Sequence, residues 1–79
     1  MEISVKLYGT LSAAVPGYQP DRGLVLEMEE GSTLADLMAF LKLEKSGGET
    51  VLCAGRLVTE GEKLLPGTTL EIFQVLHGG

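Results

Sequence analysis

Thr33-Leu34-Ala35-Asp36-Leu37-Met38-Ala39-Phe40-Leu41 carries the sustained helical period of this chain, and the strands on either side of it are placed by reference to it. Leu34, Leu37, Met38 and Leu41 fall at i, i+3, i+4 and i+7, so a helix here buries one apolar stripe. Thr33 precedes Asp36 by three. Its hydroxyl is placed to accept from the Asp36 amide, and the Asp36 carboxylate sits in the positive first turn, as in a capping box. Lys42 and Lys45 lie toward the negative end, and Gly47-Gly48 is expected to terminate the segment. Met38 and Phe40 read as core packing rather than as the lining of a ligand site.

N-terminal to this helix the period changes to two. Ile3, Val5 and Leu7 alternate with Glu2, Ser4 and Lys6 over residues 2–8, which predicts a strand with one buried face. Gly9-Thr10 breaks it, Leu11 to Val15 allows one helical turn, and Pro16-Gly17 ends that turn. Gln19 to Gly23 reads as loop. Leu24, Leu26 and Met28 then alternate with Val25, Glu27 and Glu29 in a second strand closed by Glu30-Gly31. No crossover helix of sufficient length separates the two strands, so they are expected to pair antiparallel.

C-terminal to the helix, Thr50-Val51-Leu52-Cys53-Ala54 is a near-continuous apolar run, the pattern of a buried strand. Gly55 permits a tight turn and Arg56-Leu57-Val58 a short return strand. Thr59 to Lys63 is polar loop. Leu65-Pro66-Gly67-Thr68 has Pro and Gly in type II order. A last strand starts at Thr69, with Leu70 and Ile72 on one face and Glu71 on the other. Phe73 and Val75 then reverse the pattern. A bulge, a second buried layer, or an outward apolar patch for a partner each explains the reversal.

The order is strand, strand, helix, strand, short strand, strand. In an α+β chain of 79 residues this is the β-grasp, or ubiquitin-like, arrangement. It predicts one domain over residues 1–79. A mixed four- to five-stranded sheet has its first and last strands as parallel neighbours, one main helix on one face, and a flexible Gly-Gly tail over about 76–79.

A chain this short buries only about 60–65% of its extended surface and leaves little room for a deep active site. That favours a binding or carrier module over an enzyme. The net charge of −5, with six scattered basic residues, argues against nucleic acid. No segment is apolar enough to span a membrane, and Met1-Glu2-Ile3-Ser4 has no signal-like pattern. Cys53 is the single cysteine, which fits a cytoplasmic protein and excludes an internal disulfide or a four-thiolate metal site. It reads as a small buried hydrophobe, and Arg56 as a solvated turn residue.

The chain ends in Phe73-Gln74-Val75-Leu76-His77-Gly78-Gly79. The two glycines follow backbone paths closed to other residues and can pass a slot only backbone-wide. They present the Gly79 carboxylate, which becomes an acyl donor once joined to a nucleotide phosphate. His77 reads as a lone tail residue rather than a general base.

Element order and Gly-Gly ending together resemble the ubiquitin-like sulfur carriers, and most of all the small subunit of molybdopterin synthase. The resemblance covers essentially the whole chain. Val5-Lys6-Leu7-Tyr8-Gly9-Thr10-Leu11 is similar to that family's first strand and turn, and Gly31-Ser32-Thr33-Leu34-Ala35-Asp36-Leu37 to its helix start. Val51-Leu52-Cys53-Ala54-Gly55-Arg56 sits where the family has a Val-Asn-Gly-Arg-like turn, with Ala54 for Asn. Leu65-Pro66-Gly67-Thr68 replaces a Gly-Asp turn. Phe73, Gly78 and Gly79 match the Phe-Pro-Pro-Val-x-Gly-Gly ending, with Leu76 in the Val position and Gln74 and Val75 in place of the prolines.

The resemblance implies a carrier, not an enzyme. An E1-like adenylating enzyme holding ATP and Mg²⁺ would join Gly79 to AMP, and a persulfide or sulfide donor would convert it to a thiocarboxylate. The molybdopterin synthase large subunit, or another sulfur-acceptor enzyme, would receive the sulfur. Phe73, Val75, Leu76, His77 and Gly78 are then the expected partner contacts. The chain itself would bind no cofactor and no metal. A thiamine thiazole sulfur carrier, a protein modifier forming isopeptide bonds, and a plain β-grasp interaction domain are the alternatives.

Overall fold

A computed structural model describes residues 1–43 and 49–74. Helix α2 spans Leu34–Phe40, and its capping box is complete. The Thr33 hydroxyl accepts from the Asp36 amide at 3.3 Å, and the Asp36 carboxylate accepts from the Thr33 amide at 2.9 Å. The Leu34 and Ala35 amides donate to the carbonyls of Glu62 and Glu60, so the polar loop closes the other first-turn donors.

The helix ends seven residues before the expected Gly47-Gly48 stop, a pair that lies outside the described residues. Lys42 takes a left-handed conformation at φ +61°. The Leu43 amide reaches back to the Met38 carbonyl and the Lys42 amide to that of Ala39, the Schellman pattern. Leu43 and Met38 are both buried, which supplies the apolar contact of that motif. The buried Leu43 therefore sets the stop, with a lysine where glycine is usual.

Strand β1 spans Glu2–Leu7 and β2 Leu24–Glu27, joined through the four-residue helix α1, Leu11–Ala14. Strands β3 and β4 span Glu49–Cys53 and Arg56–Leu57, and β5 spans Thr69–Gln74. The sheet order is β2-β1-β5-β3-β4. β1 pairs antiparallel with β2 and parallel with β5, and β3 pairs antiparallel with both β4 and β5. This is the β-grasp, and it holds the expected antiparallel first pair and central parallel pair.

Val5 faces Leu70 and Leu7 faces Ile72 across the parallel register, and Val51 faces Ile72 across the antiparallel one. These residues, with Ile3, form the helix side of the sheet and pack with Leu34, Leu37, Met38 and Leu43 into one core. The Pro66-Gly67 turn is as expected: Gly67 has φ +78°, and the Thr68 amide donates to the Leu65 carbonyl.

Two burial expectations change. Phe40 is 61% exposed rather than core. At about 100° per residue it lies to the side of the Leu34–Leu37–Met38 stripe. In β3 only Val51 is fully buried, and Cys53 is half-buried rather than enclosed. Leu52 faces away from the helix and stays partly open, whereas Cys53 shares the face of Val51 and, at the end of the strand, packs against the core without being enclosed by it. Ala54 belongs to the turn, not the strand.

Candidate functional site

The outward face of β5 follows from register. Leu70 and Ile72 point to the helix, so Glu71 and Phe73 point away. Pairing with β3 runs without interruption from Leu52↔Glu71 to Glu49↔Gln74, which excludes a bulge through Gln74. No element covers this face among the described residues, so a second buried layer is also excluded there. Phe73 is half-buried because Tyr8 lies on it, with ring centroids 4.5 Å apart and planes 11° from parallel.

Tyr8 follows β1 by one residue, and its amide donates to the Ile72 carbonyl, extending the parallel pairing. Its hydroxyl donates to Glu71 at 3.0 Å. That hydrogen bond to a carboxylate raises the phenol pKa, with desolvation and the negative charge adding to the effect. The contact holds the Tyr8 ring flat over Phe73. On the opposite side of β5, Thr10 donates its hydroxyl proton to Gln74. The last described residues of β5 are thus tied to the segment after β1 on both faces.

The same open face carries Leu52 and, opposite it on β4, Leu57, which is 60% exposed. Tyr8, Phe73, Leu52 and Leu57 give an apolar surface around Glu71, at the end of β5. Of the expected contact residues, Phe73 is on this face. Val75, Leu76, His77, Gly78 and Gly79 lie outside the described residues. Tyr8 and Leu57 were missed from sequence. Tyr8 was detectable, since it continues the outward parity of Ser4 and Lys6. Leu57 needed the β3–β4 register.

Arg56 is solvent-exposed, as expected, at the start of β4 just after the turn, and it also has a partner. It grips Glu62 with a two-pronged contact, Nη1 to Oε1 at 3.1 Å and Nη2 to Oε2 at 2.5 Å. The guanidinium holds the Glu62 carboxyl below the usual range. Among the described residues no group of three or more His, Cys, Asp and Glu side chains is placed to hold a metal ion. Nor is any helix among them long and apolar enough to cross a membrane.

No protein-family model matches the chain, and no curated protein matches it by sequence. Solved structures match in fold. The crystal structure of SAMP1 from Haloferax volcanii superposes with a TM-score of 0.75 at 20% identity, over 100% of both chains. A crystal structure of H. volcanii small archaeal modifier protein 1 superposes with a TM-score of 0.74 at 18% identity, over 95% of this chain and 98% of that one. The chain therefore has the ubiquitin-like β-grasp fold of the small archaeal modifier structures.

Proposed function

We propose that the chain is a ubiquitin-like carrier that acts as a substrate of partner enzymes and presents the Gly79 carboxylate for activation. The carrying observation is the stacked Tyr8–Phe73 pair on the open face at the end of β5. Five residues of sequence, 75–79, follow Gln74. At roughly 3.3–3.6 Å per residue they reach about 18 Å at most. A partner that seats this face is thus within reach of the Gly79 carboxyl while it grips a rigid part of the domain. Phe73 anchors, Val75, Leu76 and His77 bridge, and Gly78-Gly79 enter a narrow channel.

In the activating step a Gly79 carboxylate oxygen attacks the α-phosphate of ATP, bound with Mg²⁺ by an E1-like adenylating partner, and pyrophosphate leaves. Sulfide then attacks the acyl carbon and AMP leaves, giving the thiocarboxylate. A persulfide donor gives an acyl disulfide instead, which a thiol must cleave. The thiocarboxylate sulfur is the nucleophile passed to an acceptor enzyme. The acceptor favoured by the whole-chain resemblance is the large subunit of molybdopterin synthase; the thiamine thiazole pathway uses the same chemistry. The setting is the cytoplasm.

A second reading is supported as strongly, because the fold neighbours are small archaeal modifier proteins. The same acyl adenylate passed to a lysine amine would give an isopeptide bond. One experiment separates the readings. The chain is incubated with an activating enzyme, ATP, Mg²⁺ and a sulfur donor, then alkylated and mapped by mass spectrometry. A modified Gly79, resolved from Cys53, supports the carrier, and loss of the signal on removing Gly79 is expected. Lysine-linked adducts favour the modifier. Normal adenylation of the truncated chain would sink both.

A further inference from the structure

The two edges of the sheet are protected unequally. β4 is two residues long, which blunts that edge. β2 runs over four residues in unbroken register with β1, holds no proline and shows no bulge. In its middle stands Val25, 61% exposed. The hydrogen-bonding phase of this edge is set at its end. The Met28 amide donates to the Met1 carbonyl at 2.8 Å, and the Met1 amine donates to the Met28 carbonyl at 2.6 Å. In an antiparallel pair the phase repeats every second residue. The backbone groups of Leu24 and Leu26 therefore turn to β1, and those of Val25 and Glu27 turn outward.

Side chains alternate the other way. Leu24 and Leu26 face the helix side and, with Val15, Pro16, Phe40 and Leu41, line an open groove of about 330 Å³. This is the size range of small-ligand sites. It is also where the side chains of an added strand would fall, since every second residue of that strand points to the same face, roughly 6.6 Å apart. Phe40 is thereby accounted for as one wall of the groove. Charge is divided about it. Glu27 ends β2 on the face away from the groove, 3.4 Å from the Met1 amine, and the exposed Glu29 and Glu30 follow it, whereas Lys42 lines the groove itself.

We propose that the β2 edge and this groove receive an extended segment of a partner protein as a sixth strand. The segment carries two apolar residues separated by one, with basic residues lying over the Glu27–Glu30 end and a carboxylate toward Lys42. The outward N–H and C=O groups of Val25 and Glu27 supply the pairing, and the groove selects the apolar residues. A second copy of this chain is disfavoured as occupant, because each copy carries a net charge of −5. The site lies on the opposite edge of the sheet from β4 and does not depend on the Gly-Gly tail.

The test is an amide NMR titration of the full chain with blocked heptapeptides of pattern Lys-Arg-X-Ser-X-Ser-Asp, X being Val, Ile, Leu or Phe. Saturable shifts at Val25, Glu27 and Phe40–Lys42 with at least one peptide are expected. The same shifts are expected when Gly78 and Gly79 are deleted. Val25→Pro removes an outward donor without touching the β1 ladder, and it should weaken binding about tenfold or more. Phe40→Ser, at an exposed position, should do the same and serves if the proline variant unfolds. Glu29→Lys with Glu30→Lys should weaken it further. Absence of shifts with every peptide, shifts confined to the Tyr8–Phe73 face, or unchanged binding by both variants would each overturn the proposal. So would concentration-dependent shifts at Val25 and Glu27 without peptide, which would show self-pairing.

Discussion

Ala54 and Gly55 are the two central residues of the β3–β4 hairpin, at φ +51° and +81°. Both positive, they make the type I′ turn whose twist suits a two-residue hairpin. Glycine reaches this region freely, whereas alanine pays roughly 1–2 kcal/mol for it. Asparagine tolerates it better, so Ala54→Asn is expected to stabilise the domain by about 1 kcal/mol. The thermal midpoint should rise by about 4–8 °C. A midpoint that stays put or falls would mean the turn is not strained. Gly55 was legible as a turn residue from sequence, but the strain at Ala54 was not, because alanine carries no turn signal of its own. Phe73 shows the same limit at the site. Its parity was readable, but what covered its face was not, and the Tyr8 ring that does so comes from the other end of the chain.

At the scale of elements, the start of α2 is the most local feature of the molecule. Thr33 and Asp36 are three residues apart and satisfy each other's amides, so the cap could be read directly. Thr33→Ala should cost about 1 kcal/mol. Chemical denaturation should show a lower midpoint with an unchanged slope; a midpoint equal to that of the parent would mean the Glu60 and Glu62 carbonyls suffice. The other end of the helix was not legible. Its stop depends on Leu43 entering the core and drawing Lys42 into a left-handed turn, a tertiary contact that outweighs the glycine pair further on. Edge strands divide likewise. Alternation identified β2, but its position outermost in the sheet, and hence an edge beside the groove that no strand among the described residues pairs with, is a property of strand order.

For the whole molecule the decisive quantity is the small core. Leu37 is fully buried where the helix meets the sheet. Leu→Ala at such a site costs about 2–5 kcal/mol, against roughly 3–5 kcal/mol available to a domain of this size. Leu37→Ala is therefore expected to leave a large unfolded fraction at room temperature, seen by circular dichroism as a broad or absent thermal transition. A sharp transition within a few degrees of the parent would show that the core can close over the cavity. Element order, the faces of β1, β2 and β5, the helix start and the Gly-Gly ending were all legible in the residues. Those are carried by periods of two and 3.6 and by contacts between near neighbours. The stop of the helix, the exposure of Phe40, the Tyr8 ring over Phe73 and the Arg56 contact with Glu62 emerge only in the folded chain. Each of these is set by which surface a distant segment occupies, and the period of a chain records which residues share a face but not what lies against that face.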